Sequence, residues 1–213
     1  ILAGDVVVEV NGVSTGGKTV DQVTSEIRGE AGTSVRLKIL RNKEFKDFNV
    51  TREKINNPSV ELNISGDIAI LKVSRFDSES GSLAKKYARE IKDKGINKMI
   101  LDLRGNGGGY VTAAREIASL WLEKNSLVVV EKSGNQVKEE VRAGSDNSLK
   151  GVKTIVLSDS GSASASEIVI GALKDNRGAT ILGEQSFGKG SVQQPIEINN
   201  GSLLKVTIAR WYT

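Results

Sequence analysis

Two segments of the chain share one build, and that build limits the fold more than anything else in the sequence. Lys98–Leu103 (KMILDL) is a short, mostly apolar run of the kind shown by strands buried on both faces. It passes into RGNGGG and then into a helical pattern over Thr112–Leu122. Residues 154–173 (TIVLSDSGSASASEIVIGAL) repeat the arrangement of strand, small-residue turn and helix, with Thr154–Leu157 as the strand and Ala165–Lys174 as the helix. Strands that alternate with helices in this way predict an α/β domain with a partly parallel sheet. The two segments are not copies of each other, and the chain carries no internal repeat or low-complexity tract.

The other elements fit around these two. Val60–Ile64 and Ile68–Val73 read as a hairpin pair, followed by an amphipathic helix over Ser82–Lys94 that stops at Gly95. Leu127–Glu131 and Thr180–Leu182 read as strands. Val192–Ile198 and Leu203–Ala209 read as a hairpin around the turn Asn199-Asn200-Gly201. The first part of the chain has a different character. Leu2-Ala3-Gly4-Asp5 reads as a tight loop, Val6–Val10 as a strand, and Asn11-Gly12 as a turn. A short helix fits Thr19–Ile27, with Val20, Val23 and Ile27 on one face. Thr33–Leu40 and Phe45–Val50 then form a second strand pair. Residues 1–54 are thus expected to be a small, mostly β module that is open at its start. The boundary falls at Asn56-Asn57-Pro58-Ser59, and residues 55–213 form the α/β domain.

Composition removes several kinds of chemistry. The chain has 213 residues and neither cysteine nor histidine. Disulfides and thiolate nucleophiles are therefore excluded, and a zinc site would have to be built from carboxylates alone. The formal charge of +4 is scattered, with no basic block of the sort that binds nucleic acid. No apolar run approaches the length of a membrane span, and no signal peptide is visible. No metal or organic cofactor is expected.

The two loops after the buried strands are where chemistry is expected, because sites form at the carboxyl ends of such strands. In LDLRGNGGGY (101–110) four glycines fall among the six residues that follow Leu103. Glycines let the backbone approach a ligand and aim successive N–H groups at an anion, and the following helix N-terminus adds to that field. This build suits an oxyanion hole. A plain strand-to-helix turn, with Asp102 and Arg104 in a structural ion pair, accounts for the same residues. In SGSASASE (160–167) a serine at the turn is suitably placed for a nucleophile. The same letters also spell a capping box, with Ser164 as N-cap and Glu167 at N3.

A catalytic serine here needs an unusual base, since a Ser-His-Asp scheme has no histidine to use. Lysine remains. At an unperturbed pKa near 10.4, roughly 0.04% of a lysine is neutral at pH 7, and desolvation raises that fraction. Lys189 stands between two glycines in SFGKGSVQ, just before a strand, although most lysines in such loops simply face water. Gln193, four positions on, carries an amide that could orient the amine.

Taken in order, DLRGNGGG, GSASASE and GEQSFGKGSVQ resemble the catalytic domain of the carboxy-terminal processing (tail-specific) proteases. LAGDVVVEVNG resembles the back half of the PDZ domain that precedes that catalytic domain. The resemblance covers nearly the whole chain. It implies a crotonase/ClpP-like α/β protease core with mixed sheets, preceded by a partial PDZ domain. It implies Ser164 as nucleophile, Lys189 as general base and Gln193 as assistant. The oxyanion hole would be formed by the N–H of Ala165 with that of Gly107 or Gly108. The implied partners are polypeptides with a free carboxy terminus, and the implied location is extracytoplasmic (periplasm, cell envelope or secreted). An oligomer is left open. The first PDZ strands and the carboxylate-binding loop would lie before residue 1, so the chain is expected to be a fragment. Two other readings compete: a non-enzymatic PDZ scaffold, and a crotonase-type acyl-CoA enzyme that also uses glycine-loop N–H groups. Trp211 and Tyr212 could pack on the core or line a substrate channel, and core packing is the expectation.

Overall fold

The computed structural model describes residues 1–2, 4–54, 57–198 and 202–213, and leaves the side chain of Pro195 aside. The chain divides into two compact units, Ile1–Asn57 and Pro58–Thr213. In the first, β1 (Val6–Val10), β2 (Val13–Ser14), β3 (Ser34–Arg41) and β4 (Glu44–Thr51) form an antiparallel sheet in the order β2-β1-β3-β4. Helix α1 (Val20–Ile27) begins at a capping box. Thr19 Oγ1 accepts from the Gln22 N–H, and Gln22 Oε1 accepts from the Thr19 N–H. Val23 and Ile27 pack on Val10, Val35 and Leu37, whereas Val20, expected on the same face, is exposed in the first turn.

The second unit is built on a five-stranded sheet of order β11-β10-β7-β6-β5. Its strands are β5 (Val60–Ser65), β6 (Ile68–Val73), β7 (Lys98–Asp102), β10 (Lys153–Ser158) and β11 (Thr180–Gly183). Strands β6, β7, β10 and β11 run parallel, and β5 is the antiparallel edge. Parallel neighbours need crossovers. The crossovers after β6 and β10 contain α2 (Ser80–Asp93) and α4 (Ala165–Arg177), while α3 (Val111–Ser119) follows β7. Leu71, Leu101 and Val156 lie side by side across β6, β7 and β10, each fully buried. Burying a side chain of this size contributes about 1.5–3 kcal/mol. Trp121 fills the space below, its indole N–H donating to Thr154 Oγ1 at 2.8 Å.

A second, antiparallel sheet has the order β12-β13-β8-β9, from β8 (Leu127–Ser133), β9 (Gln136–Arg142), β12 (Ser191–Ile198) and β13 (Ser202–Tyr212). Sequence reading misses β9, because in QVKEEVR only Val141 is buried and the apolar alternation that marks a strand is absent. The turn expected at Asn199-Asn200-Gly201 lies outside the described residues. Among the described residues, no helix is long and apolar enough to cross a membrane.

Candidate active site

The parallel strands deliver three loops to one end of the sheet: the segment after β6, the glycine loop after β7 and the serine turn after β10. Asp159 holds the serine turn to the glycine loop, accepting from the Gly105 N–H at 2.8 Å and the Gly161 N–H at 3.0 Å. The Gly105 N–H is the main cause that keeps the Asp159 carboxyl below its ordinary range. Ser162, fully buried, donates to the Leu103 carbonyl at 2.9 Å. This is a structural role, distinct from that of its neighbour two residues on. At the end of β7, Asp102 accepts both Nε and Nη2 of Arg104, at 2.9 and 2.7 Å. Arg104 thereby lowers the Asp102 pKa. The expected structural ion pair is therefore present beside the glycine loop.

Ser164 sits at the N-terminus of α4 with φ 57° and ψ −114°. A non-glycine residue held at positive φ costs on the order of 1–3 kcal/mol and persists only where the surroundings enforce it. Such a turn thrusts the side chain out between strand and helix, as a nucleophile requires. The Glu167 half of the capping box also forms, the Ser164 N–H donating to Glu167 Oε2 at 2.7 Å. Capping and nucleophile placement coexist here.

The glycine loop lies against this turn. A Cβ on Gly108 would come within 2.8 Å of Ser164 Cβ and 3.0 Å of the Ala165 nitrogen, so only glycine permits the approach. Main-chain bonds with Phe76 hold its far side. The Phe76 N–H donates to the Gly108 carbonyl at 3.0 Å, and the Tyr110 N–H donates to the Phe76 carbonyl at 2.8 Å. Asn106 is fully buried, and its Oδ1 accepts the Gly108 N–H at 2.9 Å.

Lys189 reaches the same place through Glu167. One oxygen, Oε2, accepts both the Ser164 N–H and the Lys189 N–H, the latter at 2.9 Å. The other, Oε1, accepts Ser186 Oγ–H at 2.8 Å and the Gly188 N–H at 2.7 Å. The Phe187 N–H donates to the Ser162 carbonyl at 2.9 Å and completes the attachment of the lysine loop. Ser164 and Lys189 line one cavity of about 350 Å³, together with Glu167, Ile168, Trp211 and Tyr212. Among the described residues, no hydrogen bond joins Ser164 Oγ to Lys189 Nζ. Apo sites often close this last distance only with substrate bound.

Gln193 is not brought to this pair. It lies on β12, exposed, and does not line the cavity. The ladder between β12 and β13 shifts register between Val192 and Gln193. The extra residue there is Ile208 on β13, so the irregularity belongs to the partner strand. Trp211 packs partly against the core, as expected, but it also walls the cavity, and Tyr212 is 44% exposed beside it. Asn106 and Asp159 carry no distinguishing signal in the sequence, and Glu167 reads there only as a cap. The signal for Glu167 was present in its position three residues after the serine. Its second set of donors comes from a loop about twenty residues away, which spacing alone does not reveal.

Comparison with known proteins agrees with this geometry. A family model described as Peptidase family S41 matches residues 67–213, and a PDZ domain model matches residues 1–41. The chain is 40% identical over 212 residues to a probable CtpA-like serine protease of Staphylococcus saprophyticus, covering 98% of this chain and 43% of that protein. A protein of the same description from Staphylococcus aureus is 39% identical over 213 residues, covering 98% and 42%. The chain thus spans less than half the length of these relatives. Among solved structures, the photosystem II D1 C-terminal processing protease superposes with a TM-score of 0.67 at 27% identity, covering 100% of this chain and 59% of that one. An S41 protease structure from Bacteroides fragilis, at 16% identity and TM-score 0.64, shares the fold. With its glycine loop, serine turn and lysine loop gathered at one end of a parallel sheet, this chain belongs to peptidase family S41.

Proposed function

We propose that the chain is the catalytic part of a serine endopeptidase that cuts polypeptides near a free carboxy terminus, and that it works outside the cytoplasm. The observation that carries this reading is the shared oxygen of Glu167, which ties the main chain of Ser164 to that of Lys189 while both residues line one cavity. In the reaction, neutral Lys189 takes the Ser164 proton as Oγ attacks the peptide carbonyl carbon. The carbonyl oxygen becomes an oxyanion held by the Ala165 N–H and a loop-glycine N–H, each such donor contributing a few kcal/mol. Protonated Lys189 then gives its proton to the departing amine, leaving an acyl-serine. Water hydrolyses that ester by the reverse proton path. Gln193 assists only once β12 turns its amide toward Lys189. The support for that role is its place on the strand leaving the lysine loop.

The test is hydrolysis of an unfolded protein such as casein by the full-length protein, beside Ser164→Ala and Lys189→Ala. The expected result is cleavage that rises between about pH 7 and 9, as a neutral-lysine base requires, and that is abolished in both variants. A full-length protein that cleaves equally well with Ser164→Ala overturns the reading.

A further inference from the structure

The three loop glycines do not offer equivalent N–H groups, and a buried side chain accounts for the difference. The Gly108 N–H is used inside the loop by Asn106 Oδ1. The Gly107 N–H belongs to the peptide whose carbonyl is that of Asn106. That carbonyl faces the serine turn, accepting from the Ala163 N–H at 3.0 Å and Ser166 Oγ–H at 2.8 Å. In a trans peptide the N–H points opposite to the C=O, so the Gly107 N–H points away from the serine turn. The Gly108 carbonyl faces Phe76. By the same geometry the Gly109 N–H points away from Phe76, next to a Gly108 so close to the serine turn that an added Cβ would come within 2.8 Å of Ser164 Cβ. Among the described residues, the Gly109 N–H has no acceptor.

Asn106 sets this pattern from both ends. Its Nδ2 donates to the carbonyl of Val73, at the end of β6, at 2.7 Å, while Oδ1 draws in the Gly108 N–H. Without that clamp, three consecutive glycines would have to be ordered during the reaction, and glycine loses more conformational freedom on ordering than any other residue. We propose that the Asn106 side chain is a positioning residue that selects the oxyanion donor, withholding the Gly108 N–H and presenting that of Gly109 beside the Ala165 N–H. This rests on the protease reading above and departs from the expectation of Gly107 or Gly108.

The experiment uses the full-length protein with Asn106→Ala and Asn106→Ser. Serine keeps a short acceptor for an N–H two residues on but cannot reach Val73. Cleavage of a peptide substrate, affinity for a peptide aldehyde that mimics the tetrahedral state, thermal midpoint and amide exchange of the loop are measured together. For Asn106→Ala, kcat is expected to fall on the order of 10²-fold, the scale of one lost oxyanion donor. Aldehyde affinity should fall in parallel, while KM changes by no more than about twofold. Asn106→Ser should recover part of that loss, and the Gly108 amide should exchange faster in the alanine variant. Any of three results overturns the proposal: kcat within about threefold of the parent in Asn106→Ala, a fall carried by KM instead, or an unchanged Gly108 exchange rate. If Ser164→Ala also cleaves, the protease reading fails separately, and the exchange rates still decide whether Asn106 clamps the loop.

Discussion

Glu167→Gln probes how the nucleophile and the base are held together. The carboxylate accepts four hydrogen bonds, two on each oxygen, from Ser164, Lys189, Gly188 and Ser186. An amide keeps one oxygen and turns an NH2 toward the other pair; on the Oε1 side the Ser186 hydroxyl can rotate to accept from it, so that orientation loses only the Gly188 bond. A hydrogen bond to a charged acceptor contributes about 1.5–3 kcal/mol. Losing that bond costs about 1.5 kcal/mol at the lower value, and the two bonds left on the oxygen fall from charged to neutral strength, about 1.5 kcal/mol more together, so the loss is about 3 kcal/mol, falling on the loop that carries Lys189. At 1.36 kcal/mol per tenfold change, kcat/KM should drop by on the order of 10²-fold. Ser186→Ala removes a single bond to the same carboxylate, worth about 1.5 kcal/mol at the same lower value, and should cost only about tenfold. The assay is steady-state cleavage of a fluorogenic peptide, with thermal unfolding alongside. Activity within threefold of the parent for Glu167→Gln, or equal losses in the two variants, would refute the idea that this carboxylate sets the spacing.

Other consequences can be checked with ordinary variants. Gly108→Ala places a Cβ 2.7 Å from the Ala163 carbonyl oxygen at φ +100°. It should lose activity and about 2–5 kcal/mol of stability by denaturant titration. Gly107→Ala meets nothing within 4 Å and should change stability by less than about 0.5 kcal/mol in the same titration. Burial pushes the Asp77 carboxyl up, but the Ser80 and Ser59 hydroxyls, the Glu79 N–H and Arg75 outweigh it and leave it at about 2. A carboxyl lowered by folding stabilises above its unfolded value and loses that contribution as the pH falls toward 2. The stability gap between the parent and Asp77→Asn, followed by urea unfolding across pH, should therefore be widest above about pH 4 and close near pH 2.

Much of this was legible in the letters because it rests on local rules. KMILDL and TIVLS announce buried parallel strands, and the small residues after each announce close backbone approach. Ser164, Ala165 and Lys189 were placed by motif, and the structure puts Ser164 and Lys189 in one cavity. What stayed hidden depends on partners far apart in sequence. Asn106 looks like any turn asparagine until Val73 and Gly108 are seen on its two sides. Gln193 is exposed on β12 and pairs with Thr207 in a ladder whose pairing no spacing rule predicts. Strand β9 escapes because its edge position lets it be exposed nearly throughout and rich in charge.

The dihedral angles at residue 164 decide which amino acids can serve there. At φ 57° a β-branched side chain is a genuine steric outlier, whereas an unbranched one is merely strained. Threonine carries the same hydroxyl and acts as a nucleophile in other enzymes, yet its extra methyl group excludes it from this turn. The choice between the two alcohols is made by backbone sterics, before either could meet a base.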